Sequence, residues 1–177
     1  MLRMHGSALS AELRRRITFP DGHADVWPLF YDPVMFGRVI DALAEPLRHD
    51  VSKIAGIEAR GFVLGAAVAA RLGVGFVTIR KHGGLYPGPK LTAQAGVDYR
   101  GRQNVLRLQR AACGPGDTVA LVDDWFQTAS QALAAKSLIE QSGARYVGAS
   151  IVVDQLLDAN RQALAPCHAL IAADELG

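Results

Sequence analysis

The sequence lacks the features that mark exported, membrane-spanning or nucleic-acid-binding proteins. Its two cysteines, Cys113 and Cys167, stand far apart, so we expect free thiols rather than a disulfide or a metal site. A formal net charge of +2 is too small to indicate binding of nucleic acid. The longest apolar run, residues 62–79, is interrupted by Arg71 and by glycines, which favours a helix followed by a strand over a membrane span.

Residues 1–17 also lack the apolar stretch that a signal peptide needs, and their charges favour an amphipathic helix in a cytoplasmic protein. What the chain does contain is ordinary for a globular protein, because half of its 177 residues are hydrophobic and a fifth are charged. This length suits one domain, and we expect a single domain over residues 1–177.

Strand and helix signals alternate along the chain. Short apolar stretches predict strands at residues 52–58, 75–81, 118–123, 145–154 and 168–172, with an edge strand at 105–109. Apolar residues at helical spacing predict helices at residues 7–16, 33–44, 61–73, 129–142 and 155–164. The alternation predicts an α/β fold with a parallel sheet of about five strands and helices on both of its faces.

Residues 82–101 contain five glycines and two prolines and show no sustained period. Long loops without secondary structure are uncommon inside compact domains, and those that occur are usually functional. We therefore expect a flexible lid or binding loop over these residues, open or poorly ordered without a ligand.

Charged residues follow three of the predicted strands. They are Glu58 and Arg60 after one strand, Arg80 and Lys81 after the next, and Asp123 with Asp124 after the central one. Ligands of parallel sheets bind beyond the carboxyl ends of the strands, so we expect these groups in one crevice. Three basic side chains opposite acidic ones suit an anionic, polyhydroxylated ligand together with a metal ion. For any single cluster, plain surface charge at a strand end stays an alternative.

Five segments of the chain carry a family pattern: YDPVMFGRVIDALAE, KIAGIEARGFVLGAAVAARLGVGFVTIRK, LYPGP, VDY and GDTVALVDD. On these segments the chain resembles the type I phosphoribosyltransferases, and closely resembles the adenine phosphoribosyltransferases, over about residues 19–154. The resemblance implies a central parallel sheet with helices on both faces, a small hood that includes residues 1–33, and a flexible lid at residues 82–101. It also implies a homodimer that transfers ribose 5-phosphate from phosphoribosyl pyrophosphate to a nucleobase, with Mg²⁺ as cofactor.

The resemblance implies roles for the charged residues at the strand ends. Asp123 and Asp124 take the place of the acidic pair that meets the ribose hydroxyls, and Mg²⁺ is held near them indirectly, through those hydroxyls or water. Arg60, Arg80 and Lys81 take the place of the groups that receive the pyrophosphate, with Arg60 as a catalytic residue. Such chemistry needs cations because negative charge develops on the leaving pyrophosphate.

Asp98 aligns with a glutamate that faces the imidazole part of adenine in the family. The resemblance therefore implies a base-binding and catalytic carboxyl that exchanges a proton with a ring nitrogen. Aspartate is one methylene shorter than glutamate, and a plain loop aspartate is the alternative.

The phosphate loop departs from the family pattern, in which two apolar residues and then Ala-Thr-Gly-Gly-Thr follow the acidic pair. The backbone N–H groups of that segment wrap the 5′-phosphate. This chain has two aromatic residues and then the five residues that the resemblance assigns to phosphoribosyl pyrophosphate, Gln127, Thr128, Ala129, Ser130 and Gln131. If Ala129 or Ser130 stands where the backbone needs a positive φ, the strain is about 1–2 kcal/mol. The loop either keeps the family geometry despite that strain or takes another shape with Ser130 and Gln131 as donors.

The base pocket and the lid depart from the pattern as well. His23 and Ala24 stand at the base-binding positions where relatives have Phe-Arg, and the imidazole of His23 can stack on a base while adding a titratable nitrogen. Trp27 is assigned to core packing in preference to the pocket. In the lid, Tyr86 is inserted relative to the family pattern, and Gly84 replaces a basic residue.

Three functions fit these observations. The first is an active phosphoribosyltransferase that uses adenine or another purine-like base. The second is a non-catalytic homologue that binds a nucleotide or purine ligand and reports it to a partner. The third is different chemistry on the same scaffold, such as hydrolysis of a related ligand. The acidic and basic groups that remain together favour the enzyme, whereas the altered phosphate loop favours the binding protein.

Overall fold

A computed structural model describes residues 8–97 and 103–176 of the chain. Asp98, which the resemblance assigns to the base, lies outside these residues. No helix within the described ranges combines the length and the apolar character that crossing a membrane requires.

Within the described residues, the centre of the molecule is a seven-stranded sheet. Its strands are β1 (Lys53–Ile57), β2 (Gly75–Lys81), β3 (Lys90–Val97), β4 (Gln103–Gln109), β5 (Thr118–Phe126), β6 (Arg145–Asp154) and β7 (Cys167–Ala172). In the order β3-β4-β2-β1-β5-β6-β7, the last five strands run parallel, while β3 and β4 form an antiparallel hairpin at one edge. The predicted parallel sheet of five strands is confirmed, with two antiparallel strands added beside β2.

Helices cover both faces of this sheet, as predicted. The α-helices of the described ranges are α1 (Ala8–Arg16), α2 (Pro28–Tyr31), α3 (Pro33–Ala44), α4 (Arg60–Leu72), α5 (Ser130–Gln141) and α6 (Asp158–Ala163). Strand β5 shows the two-sided burial most clearly. Ala120 and Val122 belong to the apolar cluster of α3 and α4, whereas Val119 and Leu121 belong to the cluster of α5. A strand that is buried on both faces has a continuous run of apolar residues, and this run is why β5 could be predicted from the sequence.

Helices α3 and α4 begin and end at residues that their sequences mark. Pro33 is the first residue of α3, and the Asp32 carboxylate accepts hydrogen bonds from the backbone N–H groups of Val34 and Met35, at 2.9 and 3.3 Å. These N–H groups have no partner inside the helix, so an aspartate before a proline stabilises the helix start. Gly73 ends α4 with a φ of 71°, a conformation that glycine adopts without strain.

The expectation of an aperiodic loop over residues 82–101 is wrong for residues 90–97, which form β3. Because β3 is the edge strand, β4 is not the edge strand that the sequence predicted. Leu91 and Ala95 are buried, and Ala93 between them packs partly against the same core. This is the period of a strand, but alanines bury so little apolar area that the alternation is weak in the sequence.

Residues 82–89 connect β2 to β3 without a helix or strand, and Tyr86 anchors them to the sheet. Tyr86 is buried, and its hydroxyl donates a hydrogen bond to the carbonyl oxygen of Thr78 at 2.7 Å. The guanidinium carbons of Arg80 and Arg107 each lie 5.9 Å from the centre of its ring. The tyrosine therefore holds residues 82–89 against the sheet, and a lid over the rest of residues 82–101 stays a prediction.

The N-terminal segment packs against the C-terminal end of the chain, at the position predicted for the hood. Helix α1 contacts β7, and a guanidinium nitrogen of Arg14 lies 2.6 Å from a carboxylate oxygen of Glu175. Beyond α1, the segment reaches the carboxyl end of β5, where the rings of Phe19 and Trp125 meet edge to face with centroids 6.1 Å apart. The hood thus covers the end of the sheet where ligands bind in parallel folds.

The start of α4 lies so close to β1 that only glycine fits between them. A Cβ atom on Gly56 would stand 2.0 Å from the carbonyl oxygen of Gly61. No side chain tolerates that distance, so Gly56 lets the first turn of α4 rest on the strand.

We expect Gly56→Ala to lower the free energy of unfolding by about 3 kcal/mol, because α4 must move away from β1. The matched control is Gly37→Ala in α3, where an added Cβ meets no atom within 4 Å. There, alanine should raise the free energy of unfolding by about 0.5–1 kcal/mol, as it does inside exposed helices. Urea denaturation of both variants measures the two effects, and a Gly56→Ala protein as stable as the parent contradicts the close contact.

Candidate active site

A cavity of about 750 Å³ opens at the carboxyl ends of β1 and β5, a size typical of small-molecule sites. Two helices begin at its wall, α4 directly after β1 and α5 directly after β5. Helix N-termini carry unpaired N–H groups and a partial positive charge, and both favour anions. Because β1 and β5 are parallel neighbours, the two helix starts face one cavity, which suits a ligand with two anionic groups.

The acidic pair lies between these helices, as the sequence predicted. The Asp124 side chain is 8% exposed, and its Oδ2 lies 2.7 Å from Nε of Arg60, the first residue of α4. The backbone N–H of Asp124 donates a hydrogen bond to Oδ1 of Asp123 at 3.0 Å. A Cβ atom on Gly61 would stand 2.9 Å from the same Oδ1, so a glycine is needed where the helix passes the carboxylate.

Burial and the neighbouring carboxylate of Asp124 raise the pKa of Asp123 well above its ordinary value. Its hydrogen bond from the Asp124 N–H and the charge of Arg60 act in the opposite direction but are weaker. Two adjacent carboxylates in a buried position repel each other, so the pair favours a ligand that brings hydroxyl donors or a cation.

Of the three cations that the resemblance assigns to pyrophosphate, Arg60 and Lys81 line the cavity. Arg80 does not line it and instead forms an ion pair with Glu58, with N–O distances of 2.8 and 3.2 Å. Arg80 also donates a hydrogen bond to the carbonyl oxygen of Leu85 at 2.7 Å. The hydrogen bond from Arg80 is the main reason why the pKa of Glu58 is lowered. Arg80 is therefore tied to the β2–β3 connection rather than aimed at a ligand.

The rewritten phosphate loop keeps a backbone that normally requires glycine. Strand β5 continues to Phe126, and Ala129 then adopts a left-handed conformation with φ 60° and ψ −9° just before α5. Ser130 follows as the first residue of α5, and its hydroxyl forms a hydrogen bond with that of Thr128 at 3.1 Å. All five residues from Gln127 to Gln131 line the cavity. The loop therefore contains a left-handed turn at one alanine, with about 1–2 kcal/mol of strain.

The opposite wall of the cavity is aromatic. His23 and Ala24 line it as predicted, together with Phe19, Trp27 and Trp125. The assignment of Trp27 to the core is wrong, since its side chain lies on the cavity wall and is 40% exposed. Trp27 packs edge to face on one neighbouring ring of α2, which holds it at the surface.

Gln155 also lines the cavity, and the sequence interpretation missed it. It directly follows β6, so the rule that singled out the charged ends of three other strands would have found it. A glutamine carries no charge, so a search for charged residues at strand ends does not find it. Asp98 lies outside the described residues, and its place relative to the cavity stays a prediction.

Ala129→Gly tests the strain in the loop, and Ala132→Gly in the first turn of α5 is the control. Both changes remove one buried methyl group, but only Ala129 has a positive φ. We expect the Ala129→Gly protein to be more stable than the Ala132→Gly protein by about 1–2 kcal/mol. Equal free energies of unfolding in urea would show that the loop relaxes to another shape.

Asp123→Asn tests the raised pKa of the Asp123 carboxyl. A folded-state pKa above the ordinary value of 3.8 means that the folded chain holds this proton more tightly than the unfolded chain. The stability contributed by the proton is complete below pH 3.8 and is lost as the pH rises through the raised pKa. Relative to Asp123→Asn, the free energy of unfolding of the parent should therefore fall with rising pH. A relative stability that increases with pH in urea denaturation contradicts the assignment.

No protein-family model matches the chain, but related proteins share most of its length. The adenine phosphoribosyltransferase of Frankia casuarinae is 42% identical over 143 residues, which cover 80% of this chain and 74% of the relative. That of Jannaschia sp. is 39% identical over 158 residues, 86% of either chain.

Solved structures agree with these relatives. The adenine phosphoribosyltransferase of Thermoanaerobacter pseudethanolicus superposes with a TM-score of 0.81 at 31% identity, covering 92% of this chain and 98% of that one. The Saccharomyces cerevisiae enzyme, solved with an imino-altritol bisphosphate and adenine, gives a TM-score of 0.76 at 32% identity over 93% and 97% of the two chains. With the cavity at the starts of two helices and its acidic pair, these similarities show that the chain belongs to the adenine phosphoribosyltransferases of the type I phosphoribosyltransferase family.

Proposed function

We propose that this protein transfers ribose 5-phosphate from phosphoribosyl pyrophosphate to a purine base and releases pyrophosphate, with adenine as the first candidate. The observation that carries the proposal is the pair of helix N-termini, from α4 and α5, that share one cavity with the acidic pair. Phosphoribosyl pyrophosphate has two separate anionic groups joined by a ribose with hydroxyls, and this arrangement matches it group by group.

The pyrophosphate is assigned to the α4 side of the cavity. Arg60 and Lys81 supply positive charge there, and the N-terminus of α4 adds unpaired N–H groups. Breaking the bond between ribose C1 and pyrophosphate moves negative charge onto the leaving oxygens. Cationic groups placed there in advance stabilise the transition state more than the bound substrate, which is what lowers the barrier. Arg60 is the catalytic residue in this assignment.

The 5′-phosphate is assigned to the α5 side. The left-handed turn at Ala129 lets the first N–H groups of α5 point towards an anion, and the hydroxyls of Thr128 and Ser130 stand beside them. Gln127 and Gln131 add amide donors at the same wall. The turn supports binding of a phosphate at this wall, and turnover rather than the turn distinguishes an enzyme from a binding protein.

Mg²⁺ fits the acidic pair as an ion that arrives with the substrate. Within the described residues, no group of three or more His, Cys, Asp or Glu side chains could hold a metal ion unaided. Oδ2 of Asp124 is buried and lies 2.7 Å from Nε of Arg60, so an ion beside the pair would be held through other groups rather than by this oxygen. Mg²⁺ is commonly held by one or two carboxylates plus substrate phosphates. Asp123 and Asp124 would hold it through ribose hydroxyls or water, and the ion would neutralise charge on the leaving pyrophosphate.

The base is assigned to the aromatic wall, with His23 and Ala24 beside it and Asp98 as the carboxyl that exchanges a proton with the ring. The names of the relatives favour adenine for this position. We further propose a homodimer, as the family pattern implies, with Arg80 and Lys81 near the interface. Leu85 supports an interface there, since it is an apolar residue 87% exposed beside Arg80. A cytoplasmic location remains a prediction.

Turnover with phosphoribosyl pyrophosphate, Mg²⁺ and single nucleobases tests the proposal directly. Pyrophosphate release and formation of the nucleoside monophosphate, separated by chromatography, should appear together and in equal amounts. Binding of phosphoribosyl pyrophosphate without turnover of adenine, hypoxanthine or guanine would favour the non-catalytic homologue instead. Pyrophosphate release without a base would favour a hydrolase.

Asp124→Asn should abolish Mg²⁺-dependent binding of phosphoribosyl pyrophosphate while the protein stays folded. The change keeps the size of the side chain but removes the charge that attracts the metal and the ribose hydroxyls. Asp41→Asn on α3 is the control, because Asp41 is exposed and pairs with Arg71 instead of facing the cavity. Calorimetry with and without Mg²⁺ measures the effect, and unchanged affinity in Asp124→Asn excludes a ligand role for the pair.

A further inference from the structure

Gln155 sits on a turn that is held rigidly at the end of β6. Its backbone N–H donates a hydrogen bond to the carbonyl oxygen of Phe126 at 2.9 Å. The Asp154 carboxylate accepts from the N–H of Leu156 at 2.8 Å and from Nε of Arg161 at 2.8 Å. Arg161 also donates to the carbonyl oxygen of Leu156 at 2.7 Å. Both ends of the turn are therefore fixed, and the side chain of Gln155 starts from a defined position.

The orientation of the Gln155 amide is set by Trp125. Indole Nε1 of Trp125 lies 2.9 Å from Oε1 of Gln155, and an indole N–H can only donate. The amide oxygen must therefore face the indole, and the amide NH₂ must face away from it. Trp125 is itself held by the edge-to-face contact with Phe19, so it cannot turn without disturbing the hood.

The NH₂ group of Gln155 has no partner among the residues that the structure describes. Gln155 lines the cavity together with Phe19, His23, Trp27 and Trp125, which form the aromatic wall assigned to the base. With the amide oriented in this way, a flat ligand at this wall meets the N–H donors of Gln155 rather than its oxygen.

We propose that Gln155 determines which bases are accepted, by requiring a hydrogen-bond acceptor on the edge of the base that faces it. The inference rests on the proposed function for the identity of the ligand and adds the rule by which the ligand is chosen. A base that presents an oxygen or an unprotonated ring nitrogen to Gln155 pairs with the NH₂. A base that presents an amino group there leaves two donors facing each other, and sites reject such ligands because both groups lose water without gaining a partner.

The rule is tested by measuring whether the effect of a change in the ligand depends on the residue at position 155. Adenine is compared with 1-deaza-, 3-deaza- and 7-deazaadenine, in each of which C–H replaces one acceptor nitrogen, and with hypoxanthine, in which oxygen replaces the amino group. Binding is followed by calorimetry and by tryptophan fluorescence, in the presence of Mg²⁺ and pyrophosphate and without turnover. In the parent, loss of the acceptor that faces Gln155 should weaken binding about fivefold or more.

Gln155→Met removes the donors at similar size, so the loss caused by that one change of ligand should disappear. Gln155→Glu keeps an acceptor for Trp125 but replaces the NH₂ by oxygen. This variant should bind the preferred base about tenfold more weakly, and its binding of the analogue that lacks the acceptor should change less. Trp125→Phe frees the amide to turn, so discrimination should shrink although Gln155 remains. Gln141→Glu, on α5 away from the cavity, is the control for an added charge and should change none of these values.

Ligand preferences that agree within twofold among the parent, Gln155→Met and Trp125→Phe overturn the inference. So does a parent that binds none of these bases. Turnover measured in parallel separates this result from the proposed function. If the ligand preference depends on Gln155 but no base is turned over, the transferase proposal fails and the role of Gln155 stands. If a base is turned over but the preference does not depend on Gln155, the transferase proposal stands and that role fails.

Discussion

The close approach of α4 to β1 is the contact on which the site depends. Gly56 and Gly61 lack side chains, and this lets the first turn of α4 lie on the end of the sheet. The same approach places Gly61 against the carboxylate of Asp123. It also places Nε of Arg60 2.7 Å from Oδ2 of Asp124. A side chain at either glycine would move the helix outwards. The helix N-terminus, the cation and the acidic pair would then no longer share one cavity, and their combined charge pattern would be lost.

The two sides of the cavity use different parts of the chain. On the phosphate side, the proposed donors are the first N–H groups of α5 and the polar side chains of the loop, and both depend on the left-handed turn rather than on a glycine at that turn. Ala129 shows this, because it holds a left-handed turn that glycine would hold without strain. On the side proposed for the base, the wall consists of side chains, and there Trp125 and Gln155 form a hydrogen-bonded pair across the ends of β5 and β6.

This division explains how the chain departs from the family pattern at several positions and still keeps the geometry of the family. Replacement of a loop glycine changes stability by a small amount, while the helix dipole and the positions of the N–H groups remain. Replacement of residues at the aromatic wall changes which bases the cavity can distinguish. In the proposed assignment, the charged groups between the two sides contact the ribose and the pyrophosphate, which do not depend on the identity of the base.

The sequence by itself determined the five parallel strands, the main helices and the acidic pair, because long apolar runs, apolar residues at helical spacing and charges at strand ends are local signals. It did not reveal β3, whose alanines bury too little area to show a period. Only the tertiary structure showed that Lys81 lines the cavity whereas Arg80 does not. Arg80 instead pairs with Glu58, and this ion pair depends on the pairing of β1 with β2. The tertiary structure also placed Gln155 on the cavity wall with its amide oriented by the indole of Trp125, a contact between two strand ends that no local sequence signal indicates.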